Sequence, residues 1–454
     1  MRKIKICRIK IRRTISMLMV IAFMGVLYPT ECSERVPRKD WNFIVYLSAN
    51  NDLNRYALRN IAQMVQVGSN RNVNILVQVD TYGKREVNRY FIEKDNAVFV
   101  ERISDDSTAI SGTPESLFDF ARWAITSYPS RHTALILWDH GSGIIDPCRT
   151  RGGTDKIYLH DLFEMNKKTG LIDLGSLENR GISFNDFDGT YLNNQDLKRT
   201  LGAISRDLLG GKKIDIVGMD ACLMAMLEVG SQIKDSTHYL VASEEIEAGN
   251  GWNYRYVLSE FERTRLTPKE FAIRMVRSYD LEYKNQYGRY TQSAIDLSKI
   301  TALETNLDLL AKEIIRLLVG REGDVLLENL NIIRNSLDLT TSFANRHYVD
   351  LHHFYSSLLS SIEKCEDLIE RVSGFNKPIV LRLRKLLSEG MTLILSAVLD
   401  NACSESLHKA KGISFYFPIN IIHASYGATE FAKNNSWLTF LRIMTRISSG
   451  TVSK

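Results

Sequence analysis

Five apolar runs, at residues 41–47, 73–79, 133–139, 214–219 and 238–242, punctuate the first half of the chain, and segments of helical periodicity lie between them. The run TALILWD (133–139) is almost continuously apolar, and IDIVGM (214–219) is similar. A strand with apolar residues at consecutive positions is buried on both faces, which is the pattern of a parallel sheet covered by helices. The intervening segments fit that reading. Leu53, Leu58, Ile61, Met64 and Val65 keep helical spacing, with Asn50, Asn51 and Asp52 expected to cap them. Thr113-Pro114-Glu115 starts a second helix, with a capping hydroxyl and proline at the first helical position. Residues 197–209 and 223–233 read as helices, and residues 89–93 and 98–103 as a hairpin around Lys94-Asp95-Asn96.

The second half reads differently. From about residue 260 to 400 the chain is mainly helical, with a helix start at Thr267-Pro268. One more strand pattern, residues 412–417, ends at Pro418 and either returns to the main sheet or closes a smaller layer. The organisation expected is a leader over residues 1–31, an α/β unit over 40–255 and a mostly helical region over 256–454. A hydrophobic fraction of 44% and a charged fraction of 24% exclude a disordered, collagen-like or multi-span membrane chain.

In a parallel sheet, ligands bind beyond the carboxyl ends of the strands. Two such ends carry reactive side chains. His140 follows TALILWD, and Cys222 follows IDIVGMDA. A thiol and an imidazole on one rim are the parts of a nucleophilic cysteine site. The N–H groups of Gly141 and Cys222 could hold the oxyanion of an acyl-transfer intermediate. Cys222 is also expected to open a helix, whose N-terminus favours a thiolate. The residues alone leave other readings open. A free cysteine is often a small buried hydrophobe, and a histidine after a strand is often a structural hydrogen-bonder. The turn His140–Gly143 could cradle phosphate, but no Lys or Thr follows at P-loop spacing.

The stretches ALILWDHGSG (134–143) and DIVGMDACLMAMLEVG (215–230) resemble the two active-site motifs of the clostripain family of cysteine peptidases. Further likeness lies in WNFIVYLSANNDLN (41–54), VASEEIEAGNGWNY (241–254) and GISFYFP (412–418). The resemblance implies a caspase-like α/β/α sandwich with His140 and Cys222 as a catalytic dyad, and cleavage after arginine, less often lysine. It also implies that Asp220, two residues before the nucleophile, lies in the S1 pocket, where a carboxylate can take a guanidinium bidentately. The alternative for Asp220 is a helix cap ahead of Cys222. No third residue that would orient the imidazole is identifiable. Relatives are often cut between the two motifs. The polar tract 144–181 fits such a processing loop, and the bond after Arg180 best matches the expected position. Arg149, Arg151 and Lys168 are alternatives within the same tract.

The net charge of +5 belongs to the leader. Residues 1–13 hold seven Lys/Arg and no acid, and without residues 1–31 the chain has 51 basic and 52 acidic residues. The body therefore has no electrostatic footprint for nucleic acid. The basic start and the apolar run at 15–28 read as an export signal, since 14 residues are short for a bilayer span. Cys32 stands where a lipoprotein would be acylated, although Glu31 precedes it where a small residue is expected. The other body cysteines, Cys148, Cys222, Cys365 and Cys403, form no Cys-x-x-Cys pair, so zinc of the usual spacing is not expected.

No cofactor is required by this chemistry. Calcium is considered at Asn185-Asp186-Phe187-Asp188-Gly189, which fails EF-hand spacing and reads better as an Asp-Gly turn between two short strands. Glu244, Glu245 and Glu247 are calcium ligands or, preferably, solvated. These readings converge on an exported, monomeric cysteine endopeptidase acting on protein or peptide substrates with a basic P1 residue. Any membrane attachment would pass through Cys32. The rival is a catalytically silent surface binding protein with the same fold. An esterase or transferase using the same dyad is disfavoured by Asp220.

Overall fold

The structure, a computed structural model, describes residues 38–104, 106–146, 163–165, 172–174, 181–319, 323–364 and 377–448. The expected leader, Cys32, and Arg149, Arg151, Lys168 and Arg180 in the expected processing tract lie outside the described residues.

The first half alternates strand and helix in the order β1 (Lys39–Leu47), α1 (Asn54–Val67), β2 (Val73–Asp80), β3 (Glu86–Glu93), β4 (Asn96–Ser104), α2 (Pro114–Ser127) and β5 (Ser130–Trp138). Two small hairpins follow, β6 (Phe163–Met165) with β7 (Ile172–Leu174) and β8 (Ile182–Asn185) with β9 (Thr190–Leu192). Next come α3 (Asn194–Ala203), β10 (Ile214–Asp220), α4 (Leu227–Ile233) and β11 (Thr237–Ala242). The central sheet has nine strands in the order β14-β12-β11-β10-β5-β1-β2-β3-β4, where β12 is Thr291–Asp296 and β14 is Val398–Cys403. Its five middle strands, β11 to β2, are mutually parallel, and both edges are antiparallel.

Period-two alternation assigns each strand to two cores at once. In β1, Ile44 and Tyr46 face one core while Phe43, Val45 and Leu47 face the other. In β5, Leu135 and Leu137 oppose Ala134, Ile136 and Trp138 in the same way. The first core includes residues of α2, α3 and α4, and the second residues of α1 and the helix Pro268–Tyr283. Helices thus cover both faces, giving the α/β/α sandwich expected.

The sheet does not stop at residue 255. The region read as mainly helical contributes β12 and β14, which extend the sheet beyond β11. The 412–417 pattern becomes β15 (Ser414–Tyr416), paired with β13 (Tyr348–Asp350) in a separate two-stranded sheet, so it closes the smaller layer. An aromatic cluster of Phe354, Phe415, Phe417, Trp437 and Phe440 packs this layer. No helix among the described residues is long and apolar enough to cross a membrane.

Several local expectations fail. Leu53 occupies the N-cap of α1 with no side-chain cap, because Asn50, Asn51 and Asp52 are engaged in loop contacts instead. The helix expected at 223–233 begins only at Leu227, so Cys222 does not open it, and Asp220 is not a cap either. Glu244, Glu245 and Glu247 are buried rather than solvated. Glu244 accepts from Gly412 N–H at 3.1 Å, and Glu245 pairs with Arg289 at 2.5 Å and accepts from Ala344 N–H. Both glutamates tie the loop after β11 to the C-terminal region. The Asn185–Gly189 segment is the turn of the β8–β9 hairpin, with Asn185 Oδ1 accepting from Asp188 N–H.

Glu228 on α4 makes a similar tie. Its Oε1 accepts from Tyr416 N–H at 2.9 Å and from Tyr426 O–H at 3.1 Å. Burial pushes its carboxyl up to about 7. An unfolded glutamate ionises near 4.5, so the native state holds the proton longer. Ionising Glu228 therefore erodes stability as pH rises from about 4.5 to 7, by an amount on the order of 3 kcal/mol. Glu228→Gln should lose less stability than the parent between pH 5 and 8. Melting temperatures of both across that range check it, and parallel curves would refute it.

Candidate active site

The site is set by sheet register. β5 and β10 are adjacent and parallel, and Trp138 is the partner of Asp220. Each chain then runs two residues further, to His140 and to Cys222. The two side chains thus leave the same edge at the same height, with Asp139 N–H bonded to Asp220 O at 3.2 Å between them. Both residues are buried, at 0% and 2% exposure. The loops that carry them touch. A Cβ on Gly141 would lie 2.5 Å from the carbonyl oxygen of Cys222, so no side chain fits there. The structure thus brings Gly141 and Cys222, the two expected oxyanion donors, onto abutting loops.

A tight turn replaces the expected helix behind Cys222. Leu223 adopts φ +65°, a left-handed conformation that costs a branched residue on the order of 1 kcal/mol. Leu223 N–H bonds to Glu245 O at 3.1 Å, and Ala225 N–H to Ser243 O at 2.8 Å, which holds the turn against the loop after β11. From that loop the N–H of Glu247 points at the Cys222 sulfur, at 3.3 Å. Such a donor suits sulfur carrying negative charge. It takes the place of the helix N-terminus that the sequence suggested.

A small cleft of about 20 Å³ adjoins the sulfur, and its lining includes Trp138, Asp139, Asp220, Cys222, Glu247 and Gly251. Three carboxyls therefore converge on one pocket. Both oxygens of Asp220 accept from Trp252 N–H at 3.1 Å, and Oδ2 also accepts from Tyr254 O–H at 2.8 Å. Gly251 permits this cradle, since its φ is +62° and a Cβ would sit 2.8 Å from Asp220 Oδ2. Burial pushes Asp220 up to about 6, against the pull of these donors. Glu247 is held well above the carboxylate range, first by burial and then by the charge of Asp220 beside it. Burial also raises Asp139 well above its usual range. One oxygen of Asp139 accepts from Asn51 Nδ2.

The sequence reading missed three members of this site. Glu247 looked like one of a run of solvated acids, and nothing local marked it as buried. Asp139 stood beside the candidate histidine, inside the same motif, but was given no role of its own. Asp52 looked like a cap for α1, yet its Oδ1 lies 2.8 Å from Nε2 of His140. Its partner sits 88 residues away, so only the pairing of β1 with β5 makes the contact. Among the described residues, no group of acids, histidines and cysteines is arranged to hold a metal ion.

A model of the clostripain family matches residues 45–164 and 169–425 of the chain. The fold is similar to that of a secreted C11 cysteine protease from Bacteroides thetaiotaomicron, solved in complex with an irreversible peptide inhibitor. Identity is 15%, the TM-score is 0.58, and the match covers 89% of this chain and 99% of that one. It is also similar to an inactive zymogen C11 protease from Parabacteroides distasonis, at 15% identity and a TM-score of 0.55, over 88% of this chain and 99% of that one. No curated protein matches.

The contact at Gly141 gives a direct test of the geometry. Gly141→Ala must push the His140 loop away from the Cys222 loop. A misplacement approaching 1 Å typically costs about 100-fold in rate. Hydrolysis should fall by that order while circular dichroism stays unchanged. Full activity in the variant would show that the loops can separate without consequence.

Proposed function

The chain belongs to the clostripain family of cysteine peptidases, and from that premise we propose that it is an exported endopeptidase cutting after arginine, with lysine second. The observation that carries the reading is the placement of Cys222 and His140 at equal height on neighbouring strands, next to a cleft lined by three buried carboxyls.

In this reading the Cys222 thiol passes its proton to His140 as Sγ attacks the scissile carbonyl carbon, and a C–S bond forms as the carbonyl oxygen becomes an oxyanion. The amides of Gly141 and Cys222 receive that charge. Collapse of the intermediate breaks the C–N bond, and His140 protonates the departing amine. Water then attacks the thioester, His140 takes its proton, and the acid product leaves as the sulfur is restored. The substrate's guanidinium enters the acidic cleft, where Asp220 offers the ionised carboxylate. Export rests on the basic and apolar leader, with Cys32 as the residue that lipid would modify. Self-cutting in the tract between His140 and Cys222, after Arg180, rests on the tract's basic residues and on its position between the two halves of the site.

The test is a panel of reporter peptides ending in Arg, Lys, Asp or Leu, given to the wild type and to Cys222→Ala. Arg should be cut fastest and Lys second, with no turnover by the variant. Intact masses should show two fragments for the wild type, beginning downstream of residue 28, and one for the variant. A wild type that cuts none of the peptides supports the silent binding protein instead. A whole but fully active chain would dismiss self-processing, and residues 1–28 retained in the mature chain would dismiss an export signal.

Specificity has its own variant. Removing one partner of a desolvated charge pair costs about 2–5 kcal/mol. Asp220→Asn should therefore lose Arg peptides by roughly tenfold or more relative to neutral ones. An equal loss on both would make Asp220 a scaffold residue.

A further inference from the structure

The chemistry above asks one nitrogen of a buried imidazole to trade protons with sulfur and with the leaving amine. Which nitrogen does so is fixed by the other's partner. Asp52 Oδ1 lies 2.8 Å from Nε2 of His140. An ionised carboxylate only accepts hydrogen bonds, so Nε2 carries a hydrogen in the neutral ring as well as in the charged one. The neutral ring then has its lone pair on Nδ1. Burial acts to raise the Asp52 carboxyl, but the hydrogen bond and charge of His140 outweigh it and hold Asp52 below its ordinary range.

The contact is built rather than incidental. Asp52 follows β1 and His140 follows β5, neighbouring parallel strands in which Leu47 is the partner of Trp138. From β1 the chain crosses to β2 on one side, while β5 lies on the other. This is a topological switch point, where open α/β sheets place their ligands. The residue before Asp52 locks the loop. Asn51 Nδ2 donates to Ser48 O, to Asp139 Oδ1 and to Phe184 O, and Asn51 Oδ1 accepts from Leu53 N–H. Backbone on both sides of Asp52 is therefore held, although its own side chain is 40% exposed.

We propose that Asp52 is the positioning residue for His140: it fixes the Nε2–H tautomer, so that Nδ1 is the working nitrogen, and it stabilises the imidazolium formed during attack. The proposal rests on the reading of His140 and Cys222 as the dyad. Around this contact Arg55 from α1 attracts Asp52, Asp139 in the neighbouring loop feels the charge of both Asp52 and Asp186, and Cys222 follows the strand beside that of His140.

The test uses the full chain with Asp52→Asn, Asp52→Ala and Asp52→Glu, read with the best peptide of the panel across pH. Asp52→Asn keeps the shape and loses the charge. It should lower kcat by about 100-fold, the scale of general acid–base catalysis, with KM changed less than about twofold because Asp52 is not among the residues lining the cleft. The alkaline limb of the profile should move down by about one pH unit, since the imidazolium loses its counter-charge. Asp52→Glu should recover part of both effects and Asp52→Ala none. A merely structural role would lower activity and melting temperature together without moving the limb, and that result overturns the proposal, as does an unchanged kcat.

Alkylation of Cys222 by iodoacetamide separates this idea from the peptidase reading. If the wild type cuts no peptide, the peptidase reading fails, but the ratio of alkylation rates at pH 6 and pH 9 still reports on Asp52. That ratio should fall several-fold in Asp52→Asn. An unchanged ratio would refute the assignment of Asp52 whatever the substrate proves to be.

Discussion

The pairing of β5 with β10 is the constraint on which the rest depends. Parallel strands in register deliver the residues beyond their ends to one level, and here the two overhangs are the same length. A shift of one residue would turn every side chain of a strand to the opposite core. Both cores are filled, so the register is held from above and below the sheet. The site therefore inherits its precision from apolar packing on both faces of the sheet.

The other organising feature is buried acid. Asp139, Asp220, Glu228, Glu244 and Glu247 are all nearly inaccessible to water. Removing a carboxylate from water costs free energy unless donors or protons compensate. At Asp220 the compensation is two hydrogen-bond donors, Trp252 N–H and Tyr254 O–H, and at Glu247 burial and the charge of Asp220 hold the carboxyl well above its ordinary range. At Glu228 and Glu244 the donors belong to the C-terminal region, so the same groups that strain the interior also join the loop after β11 and α4 to β15 and its flanks. A Glu228→Gln chain would keep those donors satisfied while removing the titration.

Much of this was legible in the chain. Consecutive apolar positions marked the inner strands, because a strand covered on both faces has no polar side. The placement of His140, Cys222 and Asp220 at neighbouring strand ends was legible because each follows or closes an apolar run. What escaped was of another kind. Asp52 and Asn51 carry the side chains of helix caps, and local sequence cannot distinguish a cap from a contact reached across 88 residues. The helix start was misplaced at Cys222 because residues 223–226 are apolar and lack breakers, yet the left-handed Leu223 and the bonds to the β11 loop override that propensity. Glu244, Glu245 and Glu247 read as solvated because a run of acids usually is, and their partners Gly412, Ala344 and Trp252 lie in other elements or across a turn. β12 and β14 were hidden by the long helices around them.

Those last two strands decide what the α/β half can be on its own. β11 is an inner strand only because β12 lies against it in antiparallel pairing. A chain ended near residue 255 would leave Tyr239, Leu240, Val241 and Ala242 along an open edge, with backbone donors and acceptors unmatched. An apolar edge of that kind templates pairing with other chains. The boundary drawn at residue 255 is thus a boundary of motif and not of structure: β12 covers that edge, and its Thr291 Oγ1 accepts from the N–H groups of Glu244 and Glu245 in the loop after β11.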